Sequence, residues 1–176
     1  DRRLLGNVAY LEDADQAVAD VQLGGSLFGG GGMLERRLLH VSMADGSILR
    51  EIRLAPDATP VALGRQAWSE KVFVVLSAGG KTLLKDLDIK SGASIDAVSL
   101  GDFSARGAVF LEQQPLLVLN VLAKEKPRLI VYDLLAGKIA KDLPLDANFD
   151  EMAASKAGIL ARWRPPGELK AVFAVL

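Results

Sequence analysis

Three stretches of this chain repeat one pattern at nearly one interval: Leu39–Leu54, Leu84–Leu100 and Leu129–Leu145. Aligned on Gly46, Gly92 and Gly137, the copies stand 46 and 45 residues apart. Five positions before the glycine is Val41, Leu87 or Tyr132. Six after it is Ile52, Val98 or Leu143, and eight after it is Leu54, Leu100 or Leu145. A module of this period, made of strand signals, cannot bury its apolar sides alone, so copies must stack and cover one another.

Each unit reads as two strands joined by a tight glycine turn. In the first, Leu38–Met43 leads through Ala44-Asp45-Gly46 into Ser47–Leu54. Along that second strand Ile48, Arg50, Ile52 and Leu54 are expected on one face, with Leu49, Glu51 and Arg53 on the other. This is the period-two alternation of a half-buried strand. Gly92 and Gly137 are expected at positive φ, which glycine adopts without steric cost. Further strands are expected between the units, over Thr59–Gly64, Lys71–Ser77, Ser104–Leu111, Pro115–Leu122, Glu151–Ser155 and Gly158–Trp163. Another is expected over Leu169–Leu176. A full repeat then holds about four strands.

Near the start, Tyr10, Asp15, Val21 and Leu23 fill the columns of a degraded copy. Only 31 residues separate Asp15 from Gly46, so about one hairpin is missing there. The glycine-rich stretch 24–32 takes its place and reads as a flexible loop or a join. The expected division is a degraded copy and first blade over 1–54, blades over 55–100 and 101–145, and an unfinished blade over 146–176.

The third unit, from Ile130-Val131-Tyr132-Asp133 through Ala136-Gly137-Lys138, resembles the end of a β-propeller blade. It is similar to WD40, YVTN and quinoprotein-like repeats, in which a strand ending in aromatic-Asp leads through Gly-Lys to the outermost strand. Asp88 and Asp133 occupy the Asp column, and Ser42 replaces it in the first copy. The WD dipeptide, the Gly-His pair and the tryptophan-docking pattern are missing, so the likeness is at superfamily level. It implies an all-β fold of radial four-stranded antiparallel blades. Because propellers close with four to eight blades, the expectation is an arc or an incomplete ring. Asp1 in place of Met suggests a processed or longer protein.

The net charge of −1 is scattered along the 176 residues, without the basic stripe that nucleic acid requires. No apolar run reaches the length of a membrane span. There is no cysteine, which excludes disulfides, thiolate metal sites and cysteine nucleophiles but fits any compartment. Ala78-Gly79-Gly80-Lys81-Thr82 contains the end of a phosphate-binding loop. The second glycine it needs would fall at Val75, inside a strand, so a hairpin turn is expected instead. His40 is the single histidine and lacks the partners of a triad or zinc site. Asp86 and Asp88 share a strand face but are flanked by Lys85 and Lys90, unlike a glycosidase pair. No catalytic residues and no cofactor are assigned.

Asp146, Asn148 and Asp150 alternate like the opening of a calcium loop, although Glu151 stands where glycine is needed and Ala157 where the distal acid is needed. Arg162-Trp163-Arg164 is the candidate partner surface, since tryptophan between arginines suits a binding hot spot. The alternative is a tryptophan packed between blades. The expected function is a non-enzymatic protein–protein interaction scaffold, able to hold a protein partner or join a larger complex. The alternatives are part of a quinoprotein-like or hydrolytic propeller enzyme, and a calcium- or carbohydrate-binding module.

Overall fold

The computed structural model describes residues 2–23, 35–66, 68–91, 97–111, 113–155, 158–163 and 172–175. The first sheet holds strands β1 (Arg2–Leu11), β2 (Gln16–Leu23), β3 (Glu35–Ser42) and β4 (Ile48–Arg53). The second holds β5 (Thr59–Arg65), β6 (Lys71–Ala78), β7 (Lys81–Asp88) and β8 (Val98–Gly101). The third holds β9 (Ser104–Leu111), β10 (Leu116–Ala123), β11 (Lys126–Asp133) and β12 (Lys138–Pro144). The last holds β13 (Glu151–Ser155), β14 (Gly158–Trp163) and β15 (Val172–Val175). Every pairing is antiparallel and follows chain order. The sole helical element among the described residues is a 3-10 turn, Glu12–Ala14.

The innermost strands β1, β5, β9 and β13 pack side by side in that order, so the sheets fan out from a shared centre. They remain an open array. Each inner sheet is sandwiched between two others, which explains why β6 and β10 are buried on both faces over Val72–Leu76 and Leu117–Val121. Their sequences are continuous apolar runs for that reason, whereas a strand with one wet face would alternate.

Three apolar seams join the sheets. Phe73, Val75, Leu100, Phe103, Phe110, Leu117, Leu119 and Tyr132 belong to the seam between the second and third. Between the first and second lie Leu11, Val18, Leu38, Val72, Val74, Leu76 and Leu87. A smaller seam between the third and fourth is built on Val118, Leu129 and Ile159. Each fully buried leucine or valine contributes roughly 1.5–3 kcal/mol of transfer free energy, so stability rests on contacts between repeats.

The repeat columns acquire physical causes. Gly46 and Gly137 have φ of 73° and 63°, while Gly92 lies outside the described residues. The Asp column shapes the turns. Asp133 Oδ1 accepts the amides of Leu135 (2.9 Å) and Ala136 (2.8 Å), and Asp88 Oδ1 accepts that of Ser91 (2.8 Å). Where Ser42 breaks the column, Asp45 Oδ1 accepts the Ser47 amide at 3.0 Å.

Two expectations are corrected. Ile48 does not share a face with Arg50, Ile52 and Leu54. Leu49 is extra in the β3–β4 ladder, where Val41 pairs with Ile48 and His40 with Arg50, and such a bulge reverses the alternation. The repeat carries this bulge as a column, since Ala140 is skipped in the same way between Lys141 and Ile139. The hairpin of residues 2–23 is not a remnant of a separate copy with a partner missing. It supplies the two inner strands of the first sheet, directly paired to β3. Asp15 does hold the left-handed turn geometry of its column, at φ 49°. The glycine-rich stretch 24–32 lies outside the described residues, as do 169–171 and 176 of the expected last strand.

Candidate functional site

Strands that radiate from a centre leave two kinds of hollow: one on the axis, and one wherever neighbouring sheets part at a rim. The axial groove, about 550 Å³, is walled by the inner strands through Val8, Ala9, Leu63, Gly64, Val109 and Phe110. Tyr10, Glu12 and Arg65 also line it.

The second hollow is a cleft of about 480 Å³ between the first two sheets. It opens on the rim that carries the β1–β2 and β3–β4 turns. Leu11, Ala14 and Ile89 are its apolar lining residues, and Gln16, His40, Arg65, Glu70 and Lys90 its polar ones. Most of these residues sit at strand ends or one residue beyond, so the sheets fix the cleft's width.

His40 is only 7% exposed. Its Nε2 lies 2.7 Å from Gln16 Oε1, and with that oxygen toward the ring the imidazole is the donor. Burial, and secondarily the Arg50 guanidinium, hold its pKa below the ordinary histidine range. The ring is therefore neutral at physiological pH. At the mouth, Lys90 Nζ and Glu70 Oε1 form an exposed ion pair at 2.6 Å. Arg65 Nε donates to Ser69 O at 3.4 Å.

The rim between the second and third sheets is closed by contrast. Gln66 is fully buried, and with its amide nitrogen oriented toward two carbonyls it donates to Leu111 O and Gln114 O, each at 2.9 Å. Trp68 covers Phe73 (centroids 6.1 Å apart), which in turn packs on Phe110 (6.1 Å).

The residues singled out from sequence are placed as follows. Trp163 packs its ring on Phe149, with centroids 5.8 Å apart. Arg162 pairs with Glu151 at 2.8 Å, and Arg164 lies outside the described residues. Asp146 and Asp150 are exposed. Asn148 Oδ1 is buried without a partner, and the Asp150 amide donates to Arg162 O at 2.7 Å. Among the described residues no three acidic or histidine side chains converge as metal ligands would.

Gly79 and Gly80, at φ 55° and 78°, make a two-residue hairpin turn, and Thr82 is buried in a structural role. Asp86 is held by Lys71 at 2.6 Å. No helix of the described residues is long and apolar enough to cross a membrane.

Sequence reasoning left His40 alone and missed its neighbours Gln16, Arg65, Glu70 and Lys90. Antiparallel pairing of the two apolar-rich segments would have set Gln16 beside His40. Nothing in the sequence aligns Glu70 and Lys90 with them, because they come from the next sheet.

No family model matches the chain, and no curated protein matches it. Solved structures do. The β-propeller domain of the Trilobed protease from Pyrococcus furiosus, described as having an open velcro topology, is similar at a TM-score of 0.60 and 10% identity. That likeness covers 97% of this chain and 52% of the other. Hydrazine synthase of Kuenenia stuttgartiensis is similar at a TM-score of 0.62 and 12% identity, over 94% of this chain and 59% of the other. The chain thus spans a little over half the length of these structures. At such identities the likeness speaks to fold alone, and with the fanned sheets it establishes an all-β, propeller-like array of four-stranded antiparallel blades, left open.

Proposed function

We propose that the chain is a non-enzymatic platform for protein–protein interaction, using its rim to hold a partner. The observation that carries this reading is the cleft of about 480 Å³ between the first two sheets. Strand ends hold its walls, so a partner meets a surface whose ordering cost is already met by folding. Its mixture of aliphatic and charged side chains suits a peptide segment. The aromatic-Asp and Gly-Lys turn, similar to that of WD40, YVTN and quinoprotein-like repeats, supports placing the chain among propellers that work through rim loops.

The Arg162–Trp163 edge is the second surface to be tested. With Trp163 turned onto Phe149, it offers less free aromatic area than the sequence suggests. The experiment is cross-linking and co-purification of the protein in its full natural length, in three forms. Wild type should retain a stoichiometric partner. The double variant Arg65→Glu, Lys90→Glu should lose it, and Trp163→Ala should keep it. Retention in the double variant with loss in Trp163→Ala would move the surface to the last sheet. No stoichiometric partner in any form would overturn the platform reading.

A further inference from the structure

We propose that the cleft between the first two sheets takes up a glutamine side chain of a partner polypeptide and holds its carboxamide on His40 and Gln16. The inference rests on the platform reading and deepens it by naming what enters. The charged residues of the lining are already engaged. Lys90 pairs with Glu70 at 2.6 Å, and Arg65 has partners of its own, Ser69 O at 3.4 Å among them. Such a lining favours a neutral ligand, because an entering ion would lose hydration without meeting an unpaired counter-charge.

The uncommitted hydrogen-bonding capacity lies on the two neutral residues. With His40 Nε2 donating to Gln16 Oε1 at 2.7 Å, the ring's Nδ1 is left as an acceptor and the Gln16 amide nitrogen as a donor. Neither atom has another partner among the described residues. Burial keeps the ring neutral, so Nδ1 retains its lone pair. One acceptor and one donor are the complement of a primary carboxamide, which offers N–H and C=O from a single planar group. A carboxylate has no hydrogen for Nδ1, and a trans peptide group points its N–H and C=O in opposite directions. Depth separates glutamine from asparagine. His40 is only 7% exposed, whereas the side chains of Lys90 and Glu70 are 76% and 69% exposed. The imidazole therefore lies deeper than the ion pair, and the longer side chain reaches it while burying its methylenes among Leu11, Ala14 and Ile89.

The test is fluorescence anisotropy with fluorescein-labelled five-residue peptides on the intact protein. The peptides are amidated at the C-terminus and differ only at the central residue, which is glutamine, glutamate or methionine. Glutamate keeps the shape but has no N–H, and methionine keeps the stem but has neither polar group. Unlabelled butanamide serves as competitor. The glutamine peptide should bind at least about tenfold more tightly than either of the others, a difference of about 1.4 kcal/mol. Gln16→Glu, which replaces the remaining donor with an acceptor, should erase that preference. Lys90→Gln should leave it in place, with thermal melting confirming that each variant is folded.

Equal binding of the glutamine and methionine peptides overturns the inference, as does a glutamate peptide that binds as tightly as glutamine. A preference that survives Gln16→Glu, or one that is lost in Lys90→Gln, overturns it too. Displacement by butanamide at the peptide's own affinity would make the cleft a small-molecule site and likewise overturn it. If no peptide binds while the wild-type protein still retains its partner and the Arg65→Glu, Lys90→Glu variant loses it, the inference fails and the platform reading stands. If partner retention is also absent, both fail.

Discussion

The seam between the second and third sheets and the seam between the first and second are built from the same repeat, yet they solve burial differently. In the former, apolar side chains meet without a carboxylate or a histidine among them, and the buried Thr82 and Gln66 find hydrogen-bond partners. Thr82 Oγ1 donates to Phe103 O at 2.7 Å and accepts the Ala105 amide at 3.0 Å, which pins the crossover into β9. Gln66 seals the rim. In the latter, Asp20 and His40 are buried among valines and leucines, Asp20 Oδ1 has no partner, and the rim parts into a cleft. One seam is optimised for packing. The other gives up packing at the rim where the cleft opens, the kind of local departure from consistency that functional sites commonly carry.

The sharpest way to break this contrast is Gly64→Ala. A Cβ there would stand 2.1 Å from Phe110 Cδ2, and Phe110 is itself held by Phe73. Overpacking of this kind costs about 1–3 kcal/mol, and the upper end is expected here. Urea unfolding of the variant is the measurement. A loss well under about 1 kcal/mol would show the seam between the second and third sheets to be as loose as that between the first and second. Thr82→Val comes next. It keeps the side-chain shape but strips two buried backbone groups of their partner, for an expected loss of about 2 kcal/mol. A neutral outcome would mean the crossover is held by apolar contact alone. Gly137→Val lies outside both seams and serves as a reference. Nothing but Tyr132 Oη, at 3.9 Å, approaches its Cβ position, so the cost is backbone strain alone, about 1–2 kcal/mol. Wild-type melting would contradict the left-handed turn.

How much of this was legible follows from which contacts are local. The turn columns were readable because Asp133 and Gly137 bond within their own turn. Their spacing is chemistry the sequence carries directly. The four-strand repeat was readable because each sheet pairs strands in chain order. The face of Ile48 was not, since the bulge at Leu49 arises from pairing with β3 and leaves no mark in β4's own residues. The role of residues 2–23 was misread for a related reason. The alignment to Asp15 reports a turn, and any of the repeat's hairpins can carry such a turn. The cleft was least visible. His40 and Gln16 come from one sheet and Arg65, Glu70 and Lys90 from the next, and only the fan of sheets brings them together.

The smallest expected effect concerns Asp20. It occupies the place in β2 that Asn120 occupies in β10, each opposite a leucine of the next strand, Leu38 or Leu129. Asn120 Nδ2 donates to Phe149 O at 2.8 Å, tying the third sheet to the crossover that follows it. Asp20 has no such donor when ionised. Asn7 Nδ2 reaches its Oδ2 at a long 3.4 Å. Burial raises the Asp20 pKa above the ordinary 3.8, against the opposing pull of Asn7 and Arg36. A carboxyl whose folded pKa exceeds its unfolded one binds its proton more tightly in the native state. Its stabilising contribution is therefore complete below the unfolded value and is lost as pH rises through the folded one. Asp20→Asn should accordingly stabilise the protein at neutral pH, by about 1 kcal/mol. That advantage should shrink as the solution is acidified toward pH 4. Melting curves of both forms across that range decide the matter. An advantage that grows on acidification, or a variant less stable at neutral pH, would mean that Asp20 is held as a carboxylate by Arg36 and that the first seam is better satisfied than its geometry indicates.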